Sequence, residues 1–390
     1  MPDKIRVLFA MGTLSGGGSE RQIIGILRHI DRSRFVPLLY LASRQGELLS
    51  EVPSDVPIFA FWDRHTYPRL NFPGRIHRLQ ARDMARVIRE QFVDIVYDRT
   101  FHMTLMSAAA TQLARVPRIS VVVADPHQDV PTNAGRFVGF KKWLLRKAYL
   151  RANRVTAVSE GIRRSTLDYY RLPAKCVTTV YNFVDQDRVE QLSREQPANW
   201  SPDRFHIVAA GRLHEEKGHR FLLQAMDVLV HRCGMRQLML HLLGQGPLEA
   251  EFKAFVSERR LQDHVEFVGY CRNPFPFFRH AQLFCLPSLH EGMSNALLEA
   301  MLCEVPVLAT SNPDGPDEIL CSVKYGRFVP PGDARALVYA IKDAVGHHDQ
   351  WRRKTSAAKA YIEQTFSAAA GMARIEELLA KVVAENRHRR

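Results

Sequence analysis

Short apolar runs alternate along this chain with stretches of helical periodicity. Ile5 to Ala10 has the unbroken apolar character of a buried strand, a glycine loop follows at Gly16-Gly17-Gly18, and a helical pattern runs from Glu20 to Ile30. Further strand-like runs fall at Val36 to Leu41, Ile95 to Tyr97, Ile119 to Val123 and Arg154 to Val158, with helical stretches such as Ile76 to Phe92 and Met103 to Ala114 between them. This is the alternation of a parallel sheet covered by helices. From Phe205 the pattern restarts, with strands at His206 to Ala210, Met239 to Leu243, Val265 to Phe267, Leu283 to Leu286 and Val305 to Ala309. The prediction is an α/β chain of two doubly wound domains. Gln191 to Asp203, polar and turn-rich with Pro197, Asn199 and Pro202, puts the boundary between 185 and 204. A last helical tract from Ser367 to Val383 carries an apolar stripe of Leu378, Leu379, Val382 and Val383 that could dock on either domain.

A length of 390 residues suits two such domains. No uncharged apolar run reaches the roughly 18 residues that span a bilayer, and Met-Pro-Asp-Lys-Ile-Arg leads straight into a strand, so a cytosolic protein is expected. Six cysteines without a C-x-x-C pair fit reduced thiols and give no metal site. The net charge of +13 is uneven: residues 1 to 185 hold 28 Lys and Arg against 16 Asp and Glu, and residues 186 to 390 hold 26 against 25. A basic first half points to an anionic partner, whether nucleic acid, lipid headgroup or phosphorylated substrate.

In open α/β sheets ligands bind beyond the carboxyl ends of strands, so the loops after strands carry the chemistry. The most informative runs from His290 to Met301. Glu291 falls on a loop, the backbone amides of Gly292, Met293, Ser294 and Asn295 are expected to open a helix, and Glu299 sits two turns in. Such a helix start suits phosphate. A carboxylate beside it suits the hydroxyls of a sugar attached to that phosphate, and a second one suits a ribose. The same pattern also describes a dipole-favoured acid and a surface glutamate. Arg212 and Lys217, five positions apart on the loop after the strand His206 to Ala210, can converge on a diphosphate, or form an ordinary charged loop. Gly244-Gln245-Gly246-Pro247 allows close backbone approach to a base or phosphate. Gly16-Gly17-Gly18 could turn amides toward an anion, with Ser19 as helix cap. The third glycine of a dinucleotide-binding G-x-G-x-x-G would fall on Arg21, which disfavours a nicotinamide enzyme. His127, just past the strand Ile119 to Val123, either contacts sugar hydroxyls or is a lone surface histidine. Asp185-Gln186-Asp187 spells the D-x-D of metal-dependent transferases but lies away from a strand end, and reads as a turn or helix cap with no essential metal.

In their order and spacing these pieces resemble the retaining glycosyltransferase family 4, of GT-B fold. The resemblance also uses Val158-Ser159-Glu160-Gly161, Val180-Tyr181-Asn182-Phe183-Val184-Asp185, Pro287 to Met301, Gly315-Pro316-Asp317-Glu318-Ile319 and Val329-Pro330-Pro331-Gly332-Asp333, and so covers nearly the whole chain. It implies two Rossmann-like domains facing across a cleft: an acceptor-binding domain over 1–185, with the terminal helix 367–390 crossing back onto it, and a nucleotide-sugar-binding domain over 186–366. It implies that Arg212 and Lys217 neutralise the donor diphosphate, that Glu291 holds the donor sugar, that Glu299 binds the ribose, and that His127 approaches the sugar from the other domain. Gly17, Gly18, Gly246 and the backbone from Gly292 to Asn295 complete the donor site. No metal or other cofactor is implied. The reaction is transfer of a hexose or N-acetylhexosamine, with retention, from a nucleotide sugar, UDP-linked by the resemblance of the Gly315 segment, in cell-surface polysaccharide or glycolipid biosynthesis.

The acceptor is expected to be a glycan or a polyprenyl-diphosphate or other lipid-linked molecule. Phe137 to Arg151 is basic and aromatic at helical spacing, which suits a helix lying on the anionic inner face of the plasma membrane as well as an ordinary packing helix with basic flanks. Two rival classes remain open: a sugar-nucleotide epimerase of similar two-domain fold, and a basic nucleic-acid-binding protein. The second has no zinc, helix-turn-helix or base-stacking signature, so nucleic acid is not the expected partner.

Overall fold

The computed structural model describes residues 4–68, 70, 74–197, 200–312, 315–321 and 324–388; Asn199 and the last two residues of the terminal tract lie outside these. It forms two units, one made of Met1–Phe183 with Ala368–Arg390 and the other of Val184–Ser367.

The first unit is built on a seven-stranded parallel sheet. Its strands are β1 (Ile5–Met11), β2 (Phe35–Leu41), β3 (Ile58–Ala60), β4 (Ile95–Arg99), β5 (Arg118–Val122), β6 (Arg154–Ala157) and β7 (Val177–Thr179), in the order β3-β2-β1-β4-β5-β6-β7. The order reverses between β1 and β4, so the loops after those two strands diverge and leave a crevice at the sheet's carboxyl rim. Five residues of β1 and all of β4 are buried, as expected of central strands covered on both faces. The helix Gly18–His29 buries Ile23, Ile24, Ile26 and Leu27 at helical spacing and keeps Glu20 in its first turn and Arg28 in its last, in line with the helix dipole. It starts one residue ahead of Ser19, with Gly17 as its cap and no side-chain cap bond. The expected Ser19 cap is therefore corrected: the extended backbone of Gly17 already makes the entry turn.

The interior of this unit holds a charge cluster. Asp98 on β4 is fully buried and accepts from Thr104 Oγ1 (2.6 Å), Ser107 Oγ (2.6 Å) and Ser120 Oγ (2.8 Å). The Arg118 guanidinium, 2% exposed, stands 3.4 Å from the same carboxylate and donates to Ser120 Oγ and the Ala148 carbonyl. Three hydroxyl donors and the guanidinium on the acid make the pair tolerable inside, although Arg118 Nε is buried without a partner among the described residues.

The second unit repeats the plan with β8 (Phe205–Ala210), β9 (Leu238–Leu243), β10 (Val265–Gly269), β11 (Leu283–Leu286), β12 (Val307–Thr310) and β13 (Arg327–Val329), all parallel, in the order β10-β9-β8-β11-β12-β13. The reversal here lies between β8 and β11. Ile207, Ala209, Leu240, Leu242, Leu283 and Leu308 form the centre of its core. The α/β class and the two Rossmann-like sheets expected from the apolar runs are present.

The helix Ala368–Arg387 belongs to the first unit. Leu379 and Val382 are fully buried, Glu376 accepts from the Asp31 amide at 2.9 Å, and Glu385 pairs with Arg154 at 2.8 Å. Its Gly371 lies so close to Phe183 that a Cβ there would come within 2.5 Å of the Phe183 Cβ. Among the described residues no helix is long and apolar enough to cross a membrane.

Candidate active site

The reversal of strand order in the second unit brings together two loops that the sequence separates widely. The loop after β8 carries Arg212 and Lys217; the loop after β11 carries Ser288 and Glu291. They are joined along their backbones, with the Leu289 amide donating to the Glu216 carbonyl at 2.8 Å. Gly218 makes this contact close. It has φ 62, in the left-handed region, and a Cβ on it would lie 2.0 Å from the Pro287 carbonyl oxygen.

On this frame Lys217 Nζ donates to Glu291 Oε1 at 2.7 Å, with the side chains 20% and 9% exposed. Ser288 Oγ donates to the same oxygen at 2.8 Å. Ser288 is itself buried, and its carbonyl accepts from Thr310 Oγ1 at the end of β12. Glu291 is thus held by a cation and a hydroxyl whose own position is fixed by the sheet. Arg212 is more open, 70% exposed, and pairs with Glu216 at 2.8 Å. Beneath the lysine lies His219, fully buried at the start of the helix His219–Asp227; burial, with the nearby Lys217 charge, pushes its pKa down to about 4, so the ring is neutral.

Beyond Glu291 the chain runs through the buried Gly292 and Met293 to Ser294, which caps the helix Asn295–Leu302 by accepting from the Leu297 amide. That helix exists because Leu297, Leu298 and Met301 face the core. Glu299 is partly buried on it. The Gly292 carbonyl packs on Gly315, where a Cβ would approach to 1.8 Å, so the turn ahead of the helix Pro316–Ile319 fixes the amide-bearing segment. Gly244 and Gly246 make close approaches as well, but to protein: a Cβ on either would lie 2.0 Å from the Gly211 oxygen or 2.3 Å from the Leu213 oxygen. Their lack of side chains serves the packing of the β9 loop under the β8 loop.

In the first unit Gly16 has φ 87, and the Glu20 carboxylate folds over Gly17, 2.5 Å from where a Cβ would be. Arg99, at the end of β4 and 3% exposed, donates to Asn182 Oδ1 at 3.0 Å; Gln22 donates to the Phe183 carbonyl at 2.6 Å. The Tyr181-Asn182-Phe183 run therefore ties the glycine-loop helix to the sheet. His127 lies in the first turn of the helix Pro126–Ala134, capped by Asp125, with Nε2 3.1 Å from Asp168 Oδ2 on an exposed surface. Asp185 caps the helix Gln186–Leu192, accepting from the Arg188 amide at 3.1 Å.

The sequence pattern singles out Arg212, Lys217 and Glu291, which lie on these two joined loops. It leaves out the supports. Ser288 lies inside the stretch Pro287 to Met301 and Glu216 between Arg212 and Lys217, but neither carries a role of its own in the sequence; His219 is signalled only by its neighbour Gly218.

Comparison with known proteins follows the same division of the chain. Residues 16–188 match the model of Glycosyltransferase Family 4, and residues 204–347 match that of Glycosyl transferases group 1. Over 151 residues the chain is 34% identical to an uncharacterized glycosyltransferase of Methanocaldococcus jannaschii, which is 38% of this chain and 36% of that protein. Over 201 residues it is 27% identical to the N-acetylgalactosamine-N,N'-diacetylbacillosaminyl-diphospho-undecaprenol 4-alpha-N-acetylgalactosaminyltransferase of Campylobacter jejuni, covering 52% of this chain and 53% of that one. The chain thus spans between a third and about half of the length of these curated relatives. The crystal structure of Anabaena HepE in complex with UDP-glucose superposes with a TM-score of 0.80 over 97% of this chain and 100% of that one, at 20% identity, a likeness of fold.

Proposed function

The chain belongs to glycosyltransferase family 4, and from that membership we propose that it is a retaining, metal-independent enzyme moving a hexose or N-acetylhexosamine from a UDP-linked donor to a glycan or lipid-linked acceptor. The observation that carries this reading is the juxtaposition of Lys217 with Glu291 at the strand-order reversal of the second unit. A cation and an acid side by side there fit the two halves of a nucleotide sugar, a diphosphate and a polyhydroxylated ring. The relatives support the finer assignment: the Anabaena structure holds UDP-glucose, and the name of the Campylobacter protein gives it a diphospho-undecaprenol-linked acceptor.

In the free chain both candidate phosphate cations already have carboxylate partners, Lys217 with Glu291 and Arg212 with Glu216. We assign the incoming diphosphate the role of replacing those partners. Lys217 turns to phosphate, Glu291 is released to accept from sugar hydroxyls while Ser288 keeps it in place, and Glu299 receives the ribose. The amides from Gly292 to Asn295, at the mouth of the helix Asn295–Leu302, face the developing negative charge. The acceptor hydroxyl oxygen forms its bond to the anomeric carbon on the face from which the diphosphate oxygen departs. That departing oxygen accepts the hydroxyl proton. The protein's share is positioning and charge stabilisation, with no covalent intermediate on a side chain. We place the reaction on the cytoplasmic side of the membrane, in the building of cell-surface glycans.

Calorimetric titration with UDP-, GDP- and ADP-linked sugars tests the donor, and NMR of the product tests the anomer. Binding of a UDP-sugar with an α-linked product from an α-linked donor is the expected result. Conversion of the donor with no acceptor present would identify an epimerase, and retention on DNA without sugar-nucleotide binding would remove the reading altogether.

A further inference from the structure

We propose that the outer face of the helix Val138–Leu150 is a docking surface for an anionic phospholipid bilayer, and that it brings the first unit to an acceptor carried by a membrane lipid. The acceptor half of this inference rests on the transferase reading; the bilayer contact does not.

The helix buries Leu145, Ala148 and Tyr149. On its other side Phe137, Phe140, Trp143 and Leu150 are 68%, 59%, 48% and 41% exposed. At 100° per residue Phe140, Trp143, Lys147 and Leu150 fall on one arc, so these apolar groups form one patch instead of scattered exposures. Phe140 stacks on Trp143 with ring centres 5.9 Å apart, and Lys147 Nζ sits 3.7 Å from the centre of the Trp143 ring.

Charge selects the occupant. From Phe137 to Arg151 there are five cations, Lys141, Lys142, Arg146, Lys147 and Arg151, and no carboxylate. Among the described residues none of the five makes an ion pair with a carboxylate; Lys142 turns to the Tyr169 ring, 3.9 Å from its centre, and Arg146 donates to the Tyr170 carbonyl, so Lys147 and Arg151, on the arc of the aromatic patch, carry the charge it presents. A protein partner or a second copy of this chain would have to supply acids to match them. A bilayer rich in anionic headgroups supplies them at the depth to which long basic side chains reach, while indole and phenyl rings enter the interface.

The fold also orients the patch. Lys141 lies near His102, in the first turn of the helix Phe101–Ala114 that follows the carboxyl end of β4, and Arg151 reaches Gln112 at that helix's other end. The aromatic end of the docking helix therefore points toward the carboxyl rim of the first sheet. A membrane on this face lies next to the rim where the loops of this unit gather, which suits a sugar acceptor tethered to a lipid phosphate.

The test uses the full chain with vesicles of phosphatidylcholine alone and of equimolar phosphatidylcholine and phosphatidylglycerol. Cosedimentation with the second kind only, weakening with added salt, is expected. The pairs Phe140→Ser with Trp143→Ser, and Lys147→Glu with Arg151→Glu, should each lower the partition coefficient about tenfold or more. Thermal midpoint and UDP-sugar affinity should stay at wild-type values, which separates loss of docking from loss of fold. The proposal is overturned if the wild type ignores anionic vesicles, if the variants bind them equally well, or if light scattering finds a wild-type dimer that the Phe140/Trp143 variant dissolves. Vesicle binding without sugar-nucleotide binding would leave the surface standing and remove the transferase reading.

Discussion

Lys217 Nζ and Glu291 Oε1 stand 2.7 Å apart, joined across 74 residues of sequence by the reversal of strand order in the second sheet. On the proposed reading, the carboxylate assigned to the sugar is, in the free chain, the competitor for the cation assigned to the phosphate. Glu291→Gln should therefore bind UDP severalfold more tightly than wild type, a difference on the order of 1 kcal/mol for a partly exposed pair. Transfer should still fall about 100-fold. Titration with UDP and with the UDP-sugar separates the two effects; weaker UDP binding by the variant would sink the competition idea.

Lys217→Ala should lose UDP affinity and transfer together, the latter by about 100- to 1000-fold, while the unfolding transition persists. Glu291→Ala should lose most transfer as well, with the fold intact. Near-normal turnover in either variant counts against the site.

Gly218→Ala tests the joint between the loops. Its left-handed φ and the 2.0 Å approach to Pro287 act together, so a loss of about 1–3 kcal/mol and a marked loss of donor affinity are expected. Gly234 supplies the comparison: φ is 67, no neighbour lies within 4 Å, and alanine there should cost only the conformational part, about 1 kcal/mol. Denaturant titration of both variants reads the difference.

The first unit contains a charge that depends on its partner. Asp98→Ala leaves the buried Arg118 without a counter-ion and should destabilise the unit by about 3–5 kcal/mol. Adding Arg118→Met should recover much of that loss, because the second change removes the orphaned charge. If the double variant is as unstable as the single, the cost lies in packing.

His219 gives the second unit a defined acid sensitivity. Its pKa falls from 6.5 to about 4 on folding because the charged ring cannot be hydrated where it sits. Between those values the unfolded chain binds a proton that the folded chain refuses. Stability from this group is full above pH 6.5 and declines as the pH falls toward 4, by roughly 1 kcal/mol per pH unit. Urea midpoints between pH 4.5 and 8 should show a shallower slope in His219→Gln; an unchanged slope would assign the sensitivity elsewhere.

The parallel α/β plan could be read from the apolar runs because central strands covered on both faces must be apolar throughout, as in β1 and β4. The three-residue strands β3, β7 and β13 lie at sheet edges, where a run such as Val177-Thr178-Thr179 is too short and too polar to register. The candidate site divides likewise. Arg212, Lys217 and Glu291 stand out because charge on a loop after a strand is conspicuous. Ser288 does not, since its role comes from a contact with Thr310, on a strand that arrives 22 residues later. The glycines at 244, 246 and 315 announce close approach without saying to what, and in the folded chain the neighbour is backbone.

The placement of Ala368–Arg387 fixes an order of events during synthesis. The second unit is a single uninterrupted stretch, so every strand and helix it needs has been synthesised before that final segment is made. The first unit, though its sheet is translated earliest, waits with the grooves for Leu379 and Val382 open until the closing helix emerges. A chain truncated before residue 368 and released would carry a complete later unit and an unsealed earlier one, and holdase chaperones would find their binding surface on the part that was made first.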